Sequence, residues 1–309
     1  MVPSSIDATG TTDVAATLNS FLLSVPNGSI VSFPANAVYR VDTSVRIGAR
    51  NNLVLQGNGT TLRVVTPGWT GNKSNIQIWA STDIAVRGFT LIGNSTSPGV
   101  LIDNEEHAHA VSIYEGIRIE IADSTMDKTW GDFLEVSGEA YWSDSIWYHD
   151  NRGLRAGRSG VSILAARNVL VERSTFDQSG LQAFNIEPWQ TSGGGVNVKF
   201  LNNTVGSYGH GTGSGMWGLM FAAEGQAPNT VRDIVVSGNL VTNDSISARV
   251  TFLSRRQNIT FTNNVSRVSR SGTILYFAHI DGLTVTGNVQ PLSSGVLMSV
   301  VDSTNVVRQ

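Results

Sequence analysis

The chain contains no cysteine in 309 residues. Disulfides and thiolate metal sites are therefore excluded, while compartment stays open, because exported bacterial proteins also do without cysteine. Charge is scarce too. Asp, Glu, Lys and Arg make up only 15% of the residues, with a net charge of −3 and a pI near 5.9, which argues against a nucleic-acid surface. No apolar run approaches membrane-spanning length. Residues 1–12 lack the basic and apolar segments of an export signal. An extracellular protein has then lost its signal, or the chain leaves the cell by another route, such as on a phage virion. Asn-x-Ser/Thr triplets at Asn58, Asn94 and Asn258 follow from abundant turn residues and carry little weight as glycosylation sites.

What the chain does have is a repeat. One eight-residue phrase recurs nine times: LVLQGNGT from Leu53, IAVRGFTL from Ile84, IEIADSTM from Ile119, IWYHDNRG from Ile146, VLVERSTF from Val169, VKFLNNTV from Val198, IVVSGNLV from Ile234, ITFTNNVS from Ile259 and LTVTGNVQ from Leu283. A truncated copy starts at Val306, and starts are 23 to 36 residues apart. Units of this length that cannot bury their own apolar face stack on one another. Positions one and three alternate with variable residues, as in a strand. Position six is Asn58, Asn151, Asn203, Asn239, Asn264 and Asn288 in six copies. Asn tolerates left-handed backbone and suits a sharp corner, and stacked copies predict a ladder of amides bonding from coil to coil.

About a dozen residues before the later phrases comes a second strand: GDFLEV from Gly131, GVSIL from Gly160, AFNIEP from Ala183, GMWGLMF from Gly215, GTILYF from Gly272 and GVLMSV from Gly295. Several short strands per repeat describe an all-β, single-stranded, right-handed parallel β-helix of about ten coils, since parallel crossovers are right-handed. Residues 1–45 read as an N-terminal cap, with a helix beginning at Thr12-Asp13 and showing Val14, Leu18, Phe21 and Leu22 on one side. Residues 46–309 read as one continuous solenoid.

The entry segment, Asp7-Ala8-Thr9-Gly10 through Val31-Ser32-Phe33-Pro34 and Tyr39, resembles the N-terminal cap of the pectin-lyase-like superfamily. Arg158-Ser159-Gly160-Val161-Ser162-Ile163 and Phe184-Asn185-Ile186-Glu187-Pro188 look like phrases of bacterial and phage β-helix proteins. The resemblance covers nearly the whole chain and implies a polysaccharide hydrolase, a lyase or a tailspike. It does not select a reaction, because the fold hosts several. Gly209-His210-Gly211 is similar to the Gly-His-Gly of polygalacturonase-type hydrolases. The acidic pairs and Arg-x-Lys that accompany it there are missing at matching places, so it reads as a turn.

Chemistry concentrates in the middle of the chain. Residues 103–224 hold most acids and five of the seven tryptophans, Trp130, Trp142, Trp147, Trp189 and Trp217, whose faces suit sugar rings. Strand alternation turns Glu135, Ser162, Asn185 and Trp217 outward as one column, about 4.8 Å per coil, with Glu187 one outward step along. Paired carboxylates are what glycosidic cleavage needs, and Glu187, Glu135 and Asp132 are the candidates. Trp130, Trp147, Tyr148, His149, Arg158, Ser162, Asn185, Trp189, His210, Trp217, Glu105 and His109 are expected to line the substrate groove. His107-x-His109 beside Asp103, Glu105 and Glu106 lacks matched ligand spacing, so no metal or other cofactor is expected.

The leading expectation is a glycoside hydrolase acting on a polysaccharide or oligosaccharide laid along the side of the solenoid. A lyase using Arg158 with Tyr148 or His149 as base is the alternative, although scarce lysine and an acid-rich groove disfavour a polyanion. A non-catalytic glycan-binding or tailspike β-helix is the third reading, with a homotrimer if the chain is phage-derived.

Overall fold

The computed structural model describes residues 1–309 apart from 67–72, 103–104, 189–192, 211–217, 224–230, 245, 252–254, 269–273 and 291–296. Among the described residues, nine successive triplets of strands wind through three parallel sheets, each triplet visiting sheet I, then sheet II, then sheet III. The repeated phrase forms sheet I. Its first residues pair in unbroken register, Leu53 to Ile84, Ile119, Ile146, Val169, Val198, Ile234, Ile259, Leu283 and Val306. Each coil thus sets an aliphatic side chain upon the last, and from Leu53 to Leu283 these residues are buried. No coil could bury that surface alone, which is why the repeat and the fold are the same fact.

The Asn ladder forms, with one revision. Asn203 Nδ2 donates to Asn239 Oδ1 at 3.1 Å, Asn239 Nδ2 to Asn264 Oδ1 at 2.9 Å, and Asn264 Nδ2 to Asn288 Oδ1 at 2.9 Å. Ser174 N–H donates to Asn203 Oδ1 and Ser124 N–H to Asn151 Oδ1, which extends the row. The left-handed residue is not the ladder Asn but the one before it, at Asp150, Asn202, Gly238, Asn263 and Gly287. Only Asn58 among the six is itself left-handed, with φ 54°, and it bonds Phe33 O instead of joining the ladder.

The N-terminal end is covered as expected, but the helix starts later. Thr9–Asp13 is a strand that pairs with Val38–Arg40 at the end of sheet II. The helix spans Ala15–Ser24 and buries Ala15, Leu18 and Leu22, with Asp13 Oδ1 accepting Ala15 N–H. Extending the sheet by one strand satisfies an edge that a longer helix would leave open.

Sheet III positions the site. Its strands include Val45–Gly48, Lys73–Trp79, Ala108–Tyr114, Leu134–Ser137, Val161–Ile163 and Phe184–Ile186. The outward column in register is Arg46, Gln77, Ser112, Glu135, Ser162 and Asn185. In the next coil the strand is Met220–Ala223, so Phe221 occupies the register position opposite Asn185. GMWGLMF contains two alternations, and the second one forms the strand. Trp217 and Trp189 lie outside the described residues.

Candidate functional site on sheet III

Four successive coils each contribute to one cluster. His109 comes from Ala108–Tyr114, Asp132 and Glu135 from the next coil, Arg158 from the turn entering Val161–Ile163, and Glu187 from just beyond Phe184–Ile186. His109 Nε2 lies 3.1 Å from Glu135 Oε2. Its Nδ1 accepts the backbone N–H of Asp132 at 3.0 Å. Asp132 is fully buried; its Oδ1 accepts Ser159 N–H at 2.7 Å and its Oδ2 accepts Arg158 Nη1 at 3.1 Å. Arg158 Nη2 bridges Glu187 Oε2, which also accepts Asn185 Nδ2 at 3.0 Å. Gly131 permits this closeness, since a Cβ there would meet His109 Nδ1 at 2.6 Å and Glu106 O at 2.4 Å.

The electrostatics follow from burial among opposed charges. Burial alone would raise the Glu135 pKa, but the charge and hydrogen bond of His109, then Arg158, hold it down at about 2. Burial disfavours a charged His109, yet Glu135 and Asp132 outweigh that and raise its pKa. Opposing them, the Asp132 N–H on Nδ1 suits a neutral ring. In both forms Nε2 carries a proton aimed at Glu135. Arg158 is also shifted upward, with burial outweighed by Asp132, Glu187 and Glu135.

His109, Asp132 and Glu135 are the one trio among the described residues whose ligand atoms lie close enough to share an ion, within 4.8 Å of one another. The donor set fits poorly. Arg158 already sits on Asp132 and a backbone N–H occupies Nδ1, so a divalent cation would have to displace a guanidinium.

A groove of about 1140 Å³ runs along sheet III from Asn19 and Leu23 of the helix, past Arg46, Gln77, Trp79 and Tyr114, to Glu135, Arg158 and Glu187. Trp79 is 58% exposed and stands one outward step from Gln77, in register with Tyr114. Tyr114 donates to Glu139 Oε2 at 3.0 Å; burial, then Glu139 and Glu115, push its pKa up to about 12. The groove therefore joins an aromatic wall to a charged end, a composition common to ligand sites.

The same winding is found in solved structures. An endo-xylogalacturonan hydrolase from Aspergillus tubingensis superposes with a TM-score of 0.67 at 13% identity, over 97% of this chain and 90% of that one. A polygalacturonase from Erwinia carotovora gives 0.58 at 13% identity, over 97% and 94%. The surface protein and adhesin PfbA of Streptococcus pneumoniae gives 0.52 at 14% identity, over 98% and 96%. The chain has the pectin-lyase-like right-handed parallel β-helix fold. No protein-family model and no curated protein sequence matches it.

Within this β-helix the expected site residues divide. Glu135, Asp132, Glu187, Arg158 and His109 come together, but Asp132 is sealed and His109 is only 3% exposed. Asp132 holds His109 and Arg158 in place from beneath the groove, and His109 shows the groove only a narrow edge. Ser162 and Asn185 stand in the column as expected, yet they are buried, and Ser162 Oγ and Asn185 Oδ1 find no hydrogen-bond partner among the described residues.

Trp147, Tyr148 and His149 are corrected: they belong to Ser143–His149 in sheet I, a different face. Tyr148 lies in the core, where burial pushes its pKa far up, so it cannot act as a base. Trp130 is a packing residue, 8% exposed against Val64 and Ala108, with Nε1 bonded to Asn94 Oδ1 at 2.8 Å. Glu105 sits in the turn before His109 and is not part of the groove wall. His210 follows Thr204–Tyr208, bonds Ser207 Oγ at 2.9 Å and also lies off the groove. Trp79, Tyr114, Gln77 and Arg46 were missed. The signal was present, since Ile76-Gln77-Ile78-Trp79 alternates like the later second strands.

Proposed function

We propose that this protein cleaves glycosidic bonds in a polysaccharide lying along sheet III, outside the cell that makes it. The observation that carries the reading is the groove itself, with an exposed Trp79 at one end and Glu135 and Glu187 at the other. Glu187 has a half-exposed side chain and Glu135 a partly exposed one, so both carboxylates face the groove. Their backbones are two coils apart and offset along the strand, about 10 to 12 Å. From there the two side chains can bring their carboxyl groups to a separation that holds a water between them, and hence to inversion at the sugar carbon.

In the reaction, one carboxylate takes a proton from water as that oxygen bonds to the sugar carbon. The leaving sugar oxygen receives a proton from the other side. Glu135 is ionised at rest, so the proton for the leaving oxygen comes from a charged His109. Its Nε2–H lies on Glu135 Oε2 and passes through it as the ring becomes neutral, while Glu187 is placed to accept the proton of water. Asp132 positions both halves, since its backbone N–H holds His109 and its carboxylate holds Arg158. A lyase is less well supported because Arg158, the cation it would need, is already engaged by Asp132 and Glu187.

The test is product analysis on a panel of soluble polysaccharides. New reducing ends without an ultraviolet-absorbing unsaturated sugar are expected, and E187Q abolishes them while the circular dichroism spectrum is unchanged. An unsaturated product, or an undiminished rate in E187Q, overturns the assignment.

A further inference from the structure

Outside the groove, the outer face of sheet I carries an indole that is exposed yet held from several sides. Trp147 is 40% exposed and stands in an outward row between Glu120 and Leu170. The His149 ring stacks on it with centroids 3.8 Å apart and planes 27° from parallel. Its Nε1 donates to Glu172 Oε1 at 3.0 Å. His149 is fixed in turn, with Nδ1 2.7 Å from Asp150 Oδ2 and Nε2 3.2 Å from Glu120 Oε1. Glu120 accepts two Arg87 N–H groups at 2.8 and 2.6 Å.

This scaffold spans four coils and adds nothing to the core. An indole left so open forgoes much of the stabilisation that burial would give it. Beside it lies a hollow of about 300 Å³, walled by Trp147, Ala85, Glu120, Ser145 and the Asp83–Arg118 pair. His149 is not on that wall, so it backs one face of the indole and leaves the other to the hollow. Ala85, two coils from Trp147 in the same row, supplies the space by being small.

We propose that this hollow is a second glycan-binding platform, one that takes a neutral pyranose ring. The apolar face of the ring lies on the indole, and its hydroxyls meet Glu120, Ser145 and the Asp83–Arg118 pair at the rim. The ligand is neutral because the cations here are matched: Arg87 by Glu120, and Arg118 by Asp83 through two bonds at 2.6 and 2.8 Å. The fixed indole binds without first being ordered, which favours affinity from a small contact. Lying on a different sheet from the groove, the platform would tether a long polysaccharide while the groove acts on another stretch. It rests on the proposed function only for the choice of probes.

The test is affinity electrophoresis in gels containing galactomannan, mixed-linkage β-glucan, arabinoxylan or polygalacturonate. W79A remains retarded in a gel of neutral polysaccharide, and adding W147A weakens that retention at least tenfold. W147F keeps most of it, and A85L, which fills the hollow with Trp147 in place, loses it; these two cover the case of a poorly folded W147A. Retention unaffected by W147A and A85L, or no retention in any of the neutral gels, overturns the platform. If retention depends on Trp147 alone and no polysaccharide is cleaved, the platform stands and the proposed hydrolysis falls. Cleavage with retention that depends only on Trp79 gives the reverse.

Discussion

Two clusters in this β-helix are built from the same parts and behave differently. On sheet III, His109 lies between Asp132 and Glu135, with Arg158 beside them. On sheet I, His149 lies between Asp150 and Glu120, with Arg87 and Arg173 beside them. The first is sunk below the wall of a groove, with Asp132 wholly buried, whereas the second has Asp150 40% exposed. Burial strengthens each charge on its neighbour. Against burial, which by itself would raise it, the charges of His109 and Arg158 hold the Glu135 carboxyl at about 2, and one proton stays on the His109–Glu135 contact. In the shallower cluster the same residue types hold the His149 ring against Trp147. The two clusters share a composition and differ in depth.

The largest contrast should appear in activity. E135Q is expected to lower the cleavage rate by about 100-fold or more, whereas H149Q, the matching change on sheet I, leaves it within a small factor. Equal losses in the two variants would erase the distinction. Stability gives the next contrast. D132A removes the buried partner of Arg158 and is expected to cost about 3 kcal/mol, while D150A costs under about 1 kcal/mol; urea melts of the two variants measure both.

The smallest contrast is in pH dependence. A carboxyl lowered from 4.5 to about 2 stabilises the fold above pH 4.5 and loses that contribution as pH falls toward 2. Its size is about 3 kcal/mol. His109, shifted upward from 6.5, stabilises below that value and loses its contribution above the raised one. Both shifts describe one contact, so their energies are not added. Stability from this pair should be greatest between pH 4.5 and 6.5. E135Q should flatten the acid limb of the curve more than H149Q does, because Glu120 and Asp150 keep Arg87 and Arg173 as their larger partners when His149 is lost.

The fold was legible because its signal is periodic. Aliphatic first positions from Leu53 to Val306 pair along sheet I, and the ladder from Asn203 to Asn288 follows from one recurring phase. The outward column through Ser112, Glu135, Ser162 and Asn185 was readable from alternation. What alternation cannot report is which of three sheets a strand joins. Trp147 is twelve residues from Glu135 in sequence, yet a corner separates them, so nearness in the chain misassigned Trp147, Tyr148 and His149. It also says nothing of depth. Asp132 looked like a third reacting acid because the turn that folds Ser159 and Arg158 over it has no sequence signature. Trp79 lies on a coil with few acids, so the alternation of Ile76-Gln77-Ile78-Trp79 is its one mark in the sequence.

The most direct test of the account is a crystal structure of E187Q soaked with an oligosaccharide taken from its own digestion products. The account predicts sugar rings along sheet III, one stacked on Trp79, with a glycosidic oxygen within about 3 Å of Glu135. An oligosaccharide bound only elsewhere, with the groove between Trp79 and Glu187 left empty, would contradict it.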